Sequence, residues 1–156
     1  MGAAPLKGWS RSGRVAASKV CTAKFNNRPG GAMSPQMKLS AITLDCPDPL
    51  ALVAFYQQAT GLELHPKSDA GFAGLNWGDG LLIGFQRVDD YRAPSWPDQT
   101  VPQQLHICFK VDEELEEAEA RLLQLGASKP DHQPHDEARA RVLVDPVGHP
   151  FCLVRE

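Results

Sequence analysis

The chain has 156 residues, of which 42% are hydrophobic and 22% charged, and its formal net charge is −3. These values are typical of one soluble globular domain that needs neither disulfides nor a metal to build its core. No apolar run approaches the roughly 18 residues of a membrane span, so we expect a cytoplasmic protein with no membrane role.

The first 37 residues differ in charge from the rest of the chain. They contain six Lys or Arg and no acid, whereas residues 38–156 set 10 basic against 19 acidic side chains, a balance of −9. We expect residues 1–37 to be a basic, disordered extension and residues 38–156 to be the folded domain. A targeting leader and an upstream start, with Met33 or Met37 as the natural beginning, are the alternatives. Nucleic-acid binding is not expected, because the acidic domain offers no supporting basic or aromatic patch.

The first half of the domain predicts a strand and then a helix. Residues 39–44, LSAITL, have strand character, and Asp48 and Pro49 combine an N-cap with proline at the first helical position. Gly61 ends the helix. Its apolar face has the spacing i, i+3, i+4, i+7: Leu52, Phe55, Tyr56 and Ala59. Three short strands should follow, LELH, FAGLNW and LLIGFQRV, with a hairpin turn at residues 78–80.

The same order of elements returns 65 residues later. Residues 104–111, QLHICFKV, predict a strand, Asp112 is expected to cap a helix, and Gly126 to end it. The apolar stripe of this helix is Leu115, Ala118, Leu122 and Leu125. Strands are then predicted at ASKPD, ARVLVD and PFCLVR. The sequence therefore predicts an α+β fold in which a βαβββ unit occurs twice.

Alternation along these strands assigns two faces to the sheet. One face should pack under the helices: Ile42, Leu44, Ile107, Phe109, Phe151 and Leu153. The opposite face should carry Ala41, Thr43, Asp45, His106, Cys108, Lys110, Pro150, Cys152 and Val154.

Together with the segments DPLALVAFYQQATGLEL, LHICFKVDE and DPVGHPF, the paired units resemble the vicinal oxygen chelate superfamily. That superfamily includes glyoxalase I, bleomycin-resistance proteins and extradiol dioxygenases, and the resemblance covers residues 38–155. It implies a single glyoxalase-like domain in which two tandem βαβββ units form a curved, eight-stranded mixed sheet. The helices would lie on its convex side and a ligand on its concave side. The resemblance also implies a homodimer.

Enzymes of this superfamily typically hold a divalent metal on the concave face with His or Glu side chains. The corresponding positions here are Ala41, Gly84, His106 and Cys152, of which only His106 is retained. Catalytic zinc usually has three protein ligands, and harder cations prefer oxygen ligands, which none of the four positions supplies. We therefore expect no cofactor, with a divalent metal as the alternative.

Small residues at Ala41 and Gly84 should instead enlarge a concave pocket for a small molecule. The residues expected to contact that ligand are Thr43, Asp45, Gln86, Trp96, His106, Cys108 and Cys152. Trp96, in the long connection between the halves, either closes over the pocket or pins its loop to the surface. His106 is also the candidate catalytic base. Cys152 is either a small buried side chain or a nucleophile paired with His106.

Two other features of the sequence carry a weaker signal. His132 and His135 have an H-x-x-H spacing, but two ligands make no closed metal site, so we interpret them as part of a solvated loop. The four cysteines fall at no metal or redox spacing and are expected to be reduced thiols.

The sequence thus predicts a glyoxalase- or bleomycin-resistance-like protein that binds a small organic molecule without the usual metal. The alternative is an enzyme: a metal-dependent lyase, isomerase or dioxygenase of the same superfamily, or a metal-free catalyst that uses His106. A structural interaction module would instead expose an apolar patch and lack an accessible pocket. The fold alone does not choose between these functions.

Overall fold

Seven strands and two helices lie within residues 37–155, the part of the chain that the computed structural model describes. Their order is β1 (Ala41–Cys46), α1 (Pro49–Thr60), β2 (Glu63–Leu64), β3 (Phe72–Trp77), β4 (Leu81–Arg87), β5 (Cys108–Lys110), α2 (Leu115–Gln124), β6 (Ala140–Val144) and β7 (Pro150–Val154). The extension predicted for residues 1–37 lies outside the described residues, apart from Met37.

The seven strands form two sheets with the same connectivity. In the first sheet the order is β1-β4-β3-β2, with β1 parallel to β4 and the other pairs antiparallel. In the second sheet the order is β5-β7-β6, with β5 parallel to β7 and β7 antiparallel to β6. Each half therefore sets its first strand beside its last one. The prediction of an α+β fold built from two tandem units of this type is confirmed.

One predicted strand is almost absent from the described residues. Residues 127–131, ASKPD, contribute only an isolated bridge between Ser128 and Val144. Pro130 has no backbone N–H, so it cannot donate to a longer ladder with β6. The second sheet consequently has three strands where the sequence predicts four.

The two helices begin differently. Asp48 caps α1 as predicted, since its Oδ1 atom accepts hydrogen bonds from the backbone N–H groups of Leu50 and Ala51, at 3.0 and 3.1 Å. Gly61 closes this helix in the left-handed conformation, with φ 71°. For α2 the predicted cap was wrong: the N-cap is Glu114 rather than Asp112, and its side chain makes no capping hydrogen bond.

Neither helix in the described part of the chain has the length and apolar character to span a membrane.

A single hydrophobic core joins the two halves, and Tyr56 of α1 lies at its centre. Its ring stacks on Phe85 of β4, with ring centroids 5.2 Å apart. The same ring contacts Phe109 of β5 and Phe151 of β7, at 6.1 and 6.2 Å. Since Phe151 and Leu153 are almost completely buried, the face of β7 predicted to pack under the helices does so.

Candidate functional site

Two cysteines and one histidine meet on the face of the second sheet that lies opposite the helices. The parallel pairing of β5 with β7 sets Cys108 directly beside Cys152, and side chains paired in this way share a face. His106 lies two residues before Cys108, and the ladder reaches back toward it, because the N–H of Cys152 donates to the carbonyl of Ile107. Ligand atoms of the three residues all lie within 4.8 Å of one another. We call His106, Cys108 and Cys152 the thiol–imidazole cluster.

The members of this cluster differ in exposure. Cys152 is buried, with 4% of its surface exposed, whereas His106 and Cys108 are exposed. Burial, together with charge repulsion from the neighbouring Cys108 thiol and a hydrogen bond to it, raises the pKa of the Cys152 thiol to about 12. Cys152 is therefore a protonated thiol at neutral pH, which favours the interpretation as a small buried side chain over that of an activated nucleophile.

A cavity of about 220 Å³ opens beside the cluster. Three imidazoles, one indole, one carboxamide and one thiol contribute to its lining: His106, His132, His135, Trp96, Gln103 and Cys152. The Trp96 ring lies against the His132 ring, with centroids 5.2 Å apart. The structure thus brings Trp96, His106 and Cys152 to one cavity.

The two loop histidines reach this cavity because Gln133 ties their loop to β6. Its side-chain amide donates to the carbonyl groups of Pro130 and Val142, at 3.0 and 2.9 Å, and its Oε1 atom accepts from the N–H of Val142 at 2.8 Å. His132 and His135 are exposed, as expected of loop residues, but they also line this cavity, which sequence reasoning missed. A glutamine between two histidines carries no sequence signal for this placement.

The predicted site residues of the first half lie elsewhere. Thr43 and Asp45 line a second cavity, of about 320 Å³, together with Tyr91 and His149. Gln86 is paired with Asp45 across the parallel β1–β4 ladder, and its side chain is exposed. The two cavities share Gln103 and Pro150 in their linings. Of the seven predicted contact residues, two therefore line this second cavity and three line the cavity beside His106, whereas Gln86 and Cys108 line neither.

The expected space at Gly84 is filled by an aromatic ring. A Cβ atom at Gly84 would lie 2.7 Å from Cζ of Phe72 and 2.9 Å from Oγ1 of Thr43. Because Gly84 has no side chain, the Phe72 ring lies across β4 at the point where a metal ligand would otherwise project. The prediction that Gly84 enlarges the pocket was wrong for this reason.

The second cavity borders a buried hydrogen-bonded chain of polar side chains. Asp145 is 3% exposed; its Oδ2 atom accepts from the hydroxyl of Tyr56 at 3.0 Å and lies 2.8 Å from Nδ1 of His149. Its Oδ1 atom accepts from the N–H groups of Val147 and His149, at 3.0 and 2.9 Å. The Tyr91 hydroxyl lies 3.1 Å from Nε2 of His149. Asp145 thus fixes the turn and orients His149, a role that sequence reasoning did not assign.

The four positions that correspond by resemblance to the superfamily's metal ligands do not fit a hard divalent cation. Ala41 and Gly84 have no ligand atoms, and Phe72 covers Gly84. The remaining His106 and Cys152, even with Cys108, offer nitrogen and sulfur, whereas magnesium, calcium and manganese prefer carboxylate and carbonyl oxygen.

Comparisons with known proteins bear on the fold and the family. A family model described as a glyoxalase-like domain matches residues 41–154. Among solved structures, a glyoxalase/bleomycin resistance protein/dioxygenase family enzyme from Burkholderia phytofirmans PsJN aligns with a TM-score of 0.61 and 20% identity, over 76% of this chain and 98% of that one. No curated protein sequence matches the chain.

Two further solved structures share the fold at similar distance. The fosfomycin resistance protein FosX from Listeria monocytogenes, in complex with manganese(II) and dihydroxypropylphosphonic acid, aligns with a TM-score of 0.57 and 24% identity, over 77% of this chain and 90% of that one. Lactoylglutathione lyase from Agrobacterium tumefaciens aligns with a TM-score of 0.53 and 21% identity, over 78% and 96%. At these identities the likeness concerns the fold.

Proposed function

Since this chain belongs to the glyoxalase-like domain family of the vicinal oxygen chelate superfamily, we propose that it binds a small organic molecule in the cavity beside His106. Binding would not use the divalent metal usual in the superfamily. The observation that supports the proposal is the meeting of Trp96, His106, His132 and His135 at one cavity. A concave site with an aromatic wall and a few polar groups is the usual form of a small-molecule site.

The lining of this cavity restricts the chemistry of the ligand. A volume of about 220 Å³ suits a fragment-sized molecule, since typical drug-sized sites begin near roughly 300 Å³. The Trp96 indole offers a flat apolar surface for stacking. The imidazoles and the Gln103 amide can donate hydrogen bonds, and no Asp, Glu, Lys or Arg is among the described residues that line the cavity. We therefore expect a neutral or anionic ligand with a planar group, rather than a cationic one.

The test uses a library of neutral and carboxylate-bearing aromatic fragments, screened by ligand-observed NMR against the full chain in excess chelator. Fragments should bind the wild type and bind Trp96→Ala and His106→Ala about tenfold more weakly, as expected from the loss of one stacking or hydrogen-bonding partner. His65→Ala is the matched control, because His65 lies in the first half, where its Nδ1 atom accepts from the N–H of Lys67. Binding that resists both cavity substitutions, or that appears only when the chelator is replaced by a divalent metal, would overturn the proposal.

Catalysis remains a prediction beside binding. His106 faces the cavity, but among the described residues no hydrogen bond is found that would orient its ring, as a general base needs. Turnover by a lyase, isomerase or dioxygenase route is therefore the second candidate. The expected homodimer is likewise untested, and sedimentation velocity would measure it.

A further inference from the structure

We propose that a cavity of about 250 Å³ on the helix side of the two sheets binds an uncharged, two-ring aromatic molecule. The cavity lies where the two halves meet, because its lining draws on α1 and β3 of the first half and on β5, α2 and β7 of the second. This site goes beyond the proposed function, since its lining and that of the cavity beside His106 have only Phe151 in common.

The last turn of α1 leaves space for this cavity because its side chains are small. Ala59 and Thr60 line the cavity, where a larger apolar residue would fill it. On the side of α2 the lining includes Leu122, which is buried, and Arg121, whose Nη1 atom donates to the carbonyl of Ala59 at 3.1 Å. Arg121 therefore links the two helices at the cavity, and Ala59 is the position at which a longer side chain would close it.

Aromatic rings line the interior of the cavity. The Trp77 and Phe109 rings are tilted by 38°, with centroids 6.1 Å apart, and Phe109 meets Phe151 edge-on at 5.9 Å. Phe55 and Tyr56 complete the set. Rings set at different angles present both faces and edges, which are the parts of a ring that a flat aromatic ligand contacts favourably. The wall therefore favours a planar aromatic ligand over an aliphatic one.

Trp77 is the ring that a ligand would cover. Phe55, Tyr56 and Phe151 are at most 4% exposed, whereas Trp77 keeps 40% of its surface exposed at the end of β3. Removing apolar surface from water is the main source of affinity in an apolar site. We therefore expect Trp77 to contribute strongly to binding.

The hydroxyl groups along the lining are already hydrogen-bonded within the protein. Tyr56 donates to Oδ2 of Asp145 at 3.0 Å, and Thr60 donates to the carbonyl of Tyr56 at 2.6 Å. Within residues 37–155, no buried side-chain nitrogen or oxygen lacks a hydrogen-bond partner. A polar ligand would lose its bonds to water in the interior without replacement, whereas an apolar ligand would not.

The charged side chains of the lining balance one another. Two are basic and two are acidic: Lys110, Arg121, Asp112 and Glu113. Nη2 of Arg121 lies 2.5 Å from Oε1 of Glu113, and both side chains are partly exposed, so this pair lies at the mouth. An ion would meet no excess of opposite charge there and would lose its hydration among the aromatic rings. Both effects favour an uncharged ligand.

The volume of the cavity sets the size of the ligand. An apolar cavity of roughly 150 Å³ holds one benzene molecule, and this one measures about 250 Å³. A molecule with two fused rings, such as indole, therefore suits it. A single side chain from a second copy of the protein is the other occupant of suitable size, and the oligomeric state distinguishes the two.

The experiment uses the full chain and 5-fluoroindole, whose fluorine resonance reports binding by NMR. We expect saturable binding with a Kd below about 1 mM, which a ligand of about ten heavy atoms can reach. Indole should displace the probe. Indole-3-carboxylate and tryptamine, its charged analogues, should compete at least about tenfold more weakly, because each must leave a charge unpaired in the cavity. Equal competition by either analogue would contradict the proposed class of ligand.

Matched variants assign the binding to this cavity. Ala59→Met should fill it, weaken fluoroindole binding at least about tenfold and leave the Tm equal or higher, as cavity filling does. Trp77→Ala should weaken binding to a similar degree, and since Trp77 is partly exposed, this variant should fold even if Ala59→Met does not. Trp96→Ala is the control, because Trp96 lines the cavity beside His106. The binding that Ala59→Met loses should persist in this control.

Three further results would overturn the proposal. One is the absence of saturable fluoroindole binding to the wild type. Another is binding that survives in both Ala59→Met and Trp77→Ala, which would place the probe elsewhere. The third is a smaller oligomer of Ala59→Met in sedimentation velocity, which would show that a side chain of a second copy occupies the cavity. None of these results depends on Trp96 or His106, whose substitution tests the proposed function, so the two proposals fail separately.

Discussion

The two halves of the domain share a strand pattern, yet equivalent positions on the sheet faces opposite the helices carry different side chains. The row Thr43, Gly84 and Gly74 in the first sheet corresponds to Cys108, Cys152 and Val142 in the second. In the first row a glycine lets an aromatic ring cover the strand, whereas in the second row the same position carries a thiol that lines a cavity. A repeated backbone therefore need not repeat a cavity: this row packs under an aromatic ring in one half and lines a cavity with a thiol in the other.

The turns between the last two strands of each half also differ, because one has an exposed aspartate and the other a buried one. Between β3 and β4 the chain turns at residues 78–80, where Asp79 is exposed and adopts φ 55°. Between β6 and β7 the corresponding aspartate, Asp145, is buried and holds Tyr56 and His149. Paired substitutions in the two halves test whether these differences change the free energy of unfolding.

The largest effect is expected at the two turns. Asp145→Asn should lower the free energy of unfolding by about 3 kcal/mol, because the new amide cannot accept every hydrogen bond that the buried carboxylate accepts. Asp79→Asn should change it by less than about 0.5 kcal/mol, since the side chain is exposed and asparagine tolerates positive φ. Urea unfolding followed by circular dichroism measures both. Equal losses of unfolding free energy would show that the hydrogen bonds of Asp145 to Tyr56 and His149 do not stabilise the fold.

A smaller effect is expected at the covered strand. Gly84→Ala should cost about 2 kcal/mol, because its Cβ would overlap the Phe72 ring and the Thr43 hydroxyl. Phe72→Leu should relieve much of this clash, so the double variant should lose less stability than the sum of the single variants. Chemical denaturation of the four proteins gives the coupling energy. Strict additivity would contradict the contact between Phe72 and Gly84.

The smallest difference is expected at the two helix starts. Asp48→Ala should cost about 1 kcal/mol, because Asp48 caps α1 with two hydrogen bonds. Glu114→Ala should change stability by less than about 0.5 kcal/mol, since Glu114 makes no capping bond and its ion pair with Arg155 is exposed. Thermal unfolding of both variants measures the two losses of stability. A larger loss in Glu114→Ala than in Asp48→Ala would contradict the expected difference between the two caps.

The fold could be predicted because its signals are local. Asp48 and Pro49 start a helix, Gly61 ends it, and residues 78–80 form a hairpin turn, each through the conformational preference of the residue itself. Strand alternation then predicted the buried face of β7, with Phe151 and Leu153. Where the prediction was wrong, at residues 127–131 and at Asp112, a proline without a donor and a shifted helix start were the causes.

The candidate site was harder to predict, because its residues meet only through tertiary contacts. The positions of His106 and Cys152 follow from the strand pattern, but their proximity to His132 and His135 depends on the hydrogen bonds of Gln133. The Phe72 ring over Gly84 depends on the register of β3 against β4, which a single sequence does not fix.

Tyr56 belongs to the first half, yet it stacks on Phe85, contacts Phe109 and Phe151 of the second half, and donates to Asp145. If the second half unfolded, the Tyr56 hydroxyl would lose its hydrogen bond to Asp145 and remain unpaired in an apolar core, which is energetically costly. In repeat arrays each unit adds its own increment of stability and can be removed with little harm to its neighbours. Here the repeat is one folding unit, so the domain should unfold in a single cooperative transition, and an isolated half should not fold.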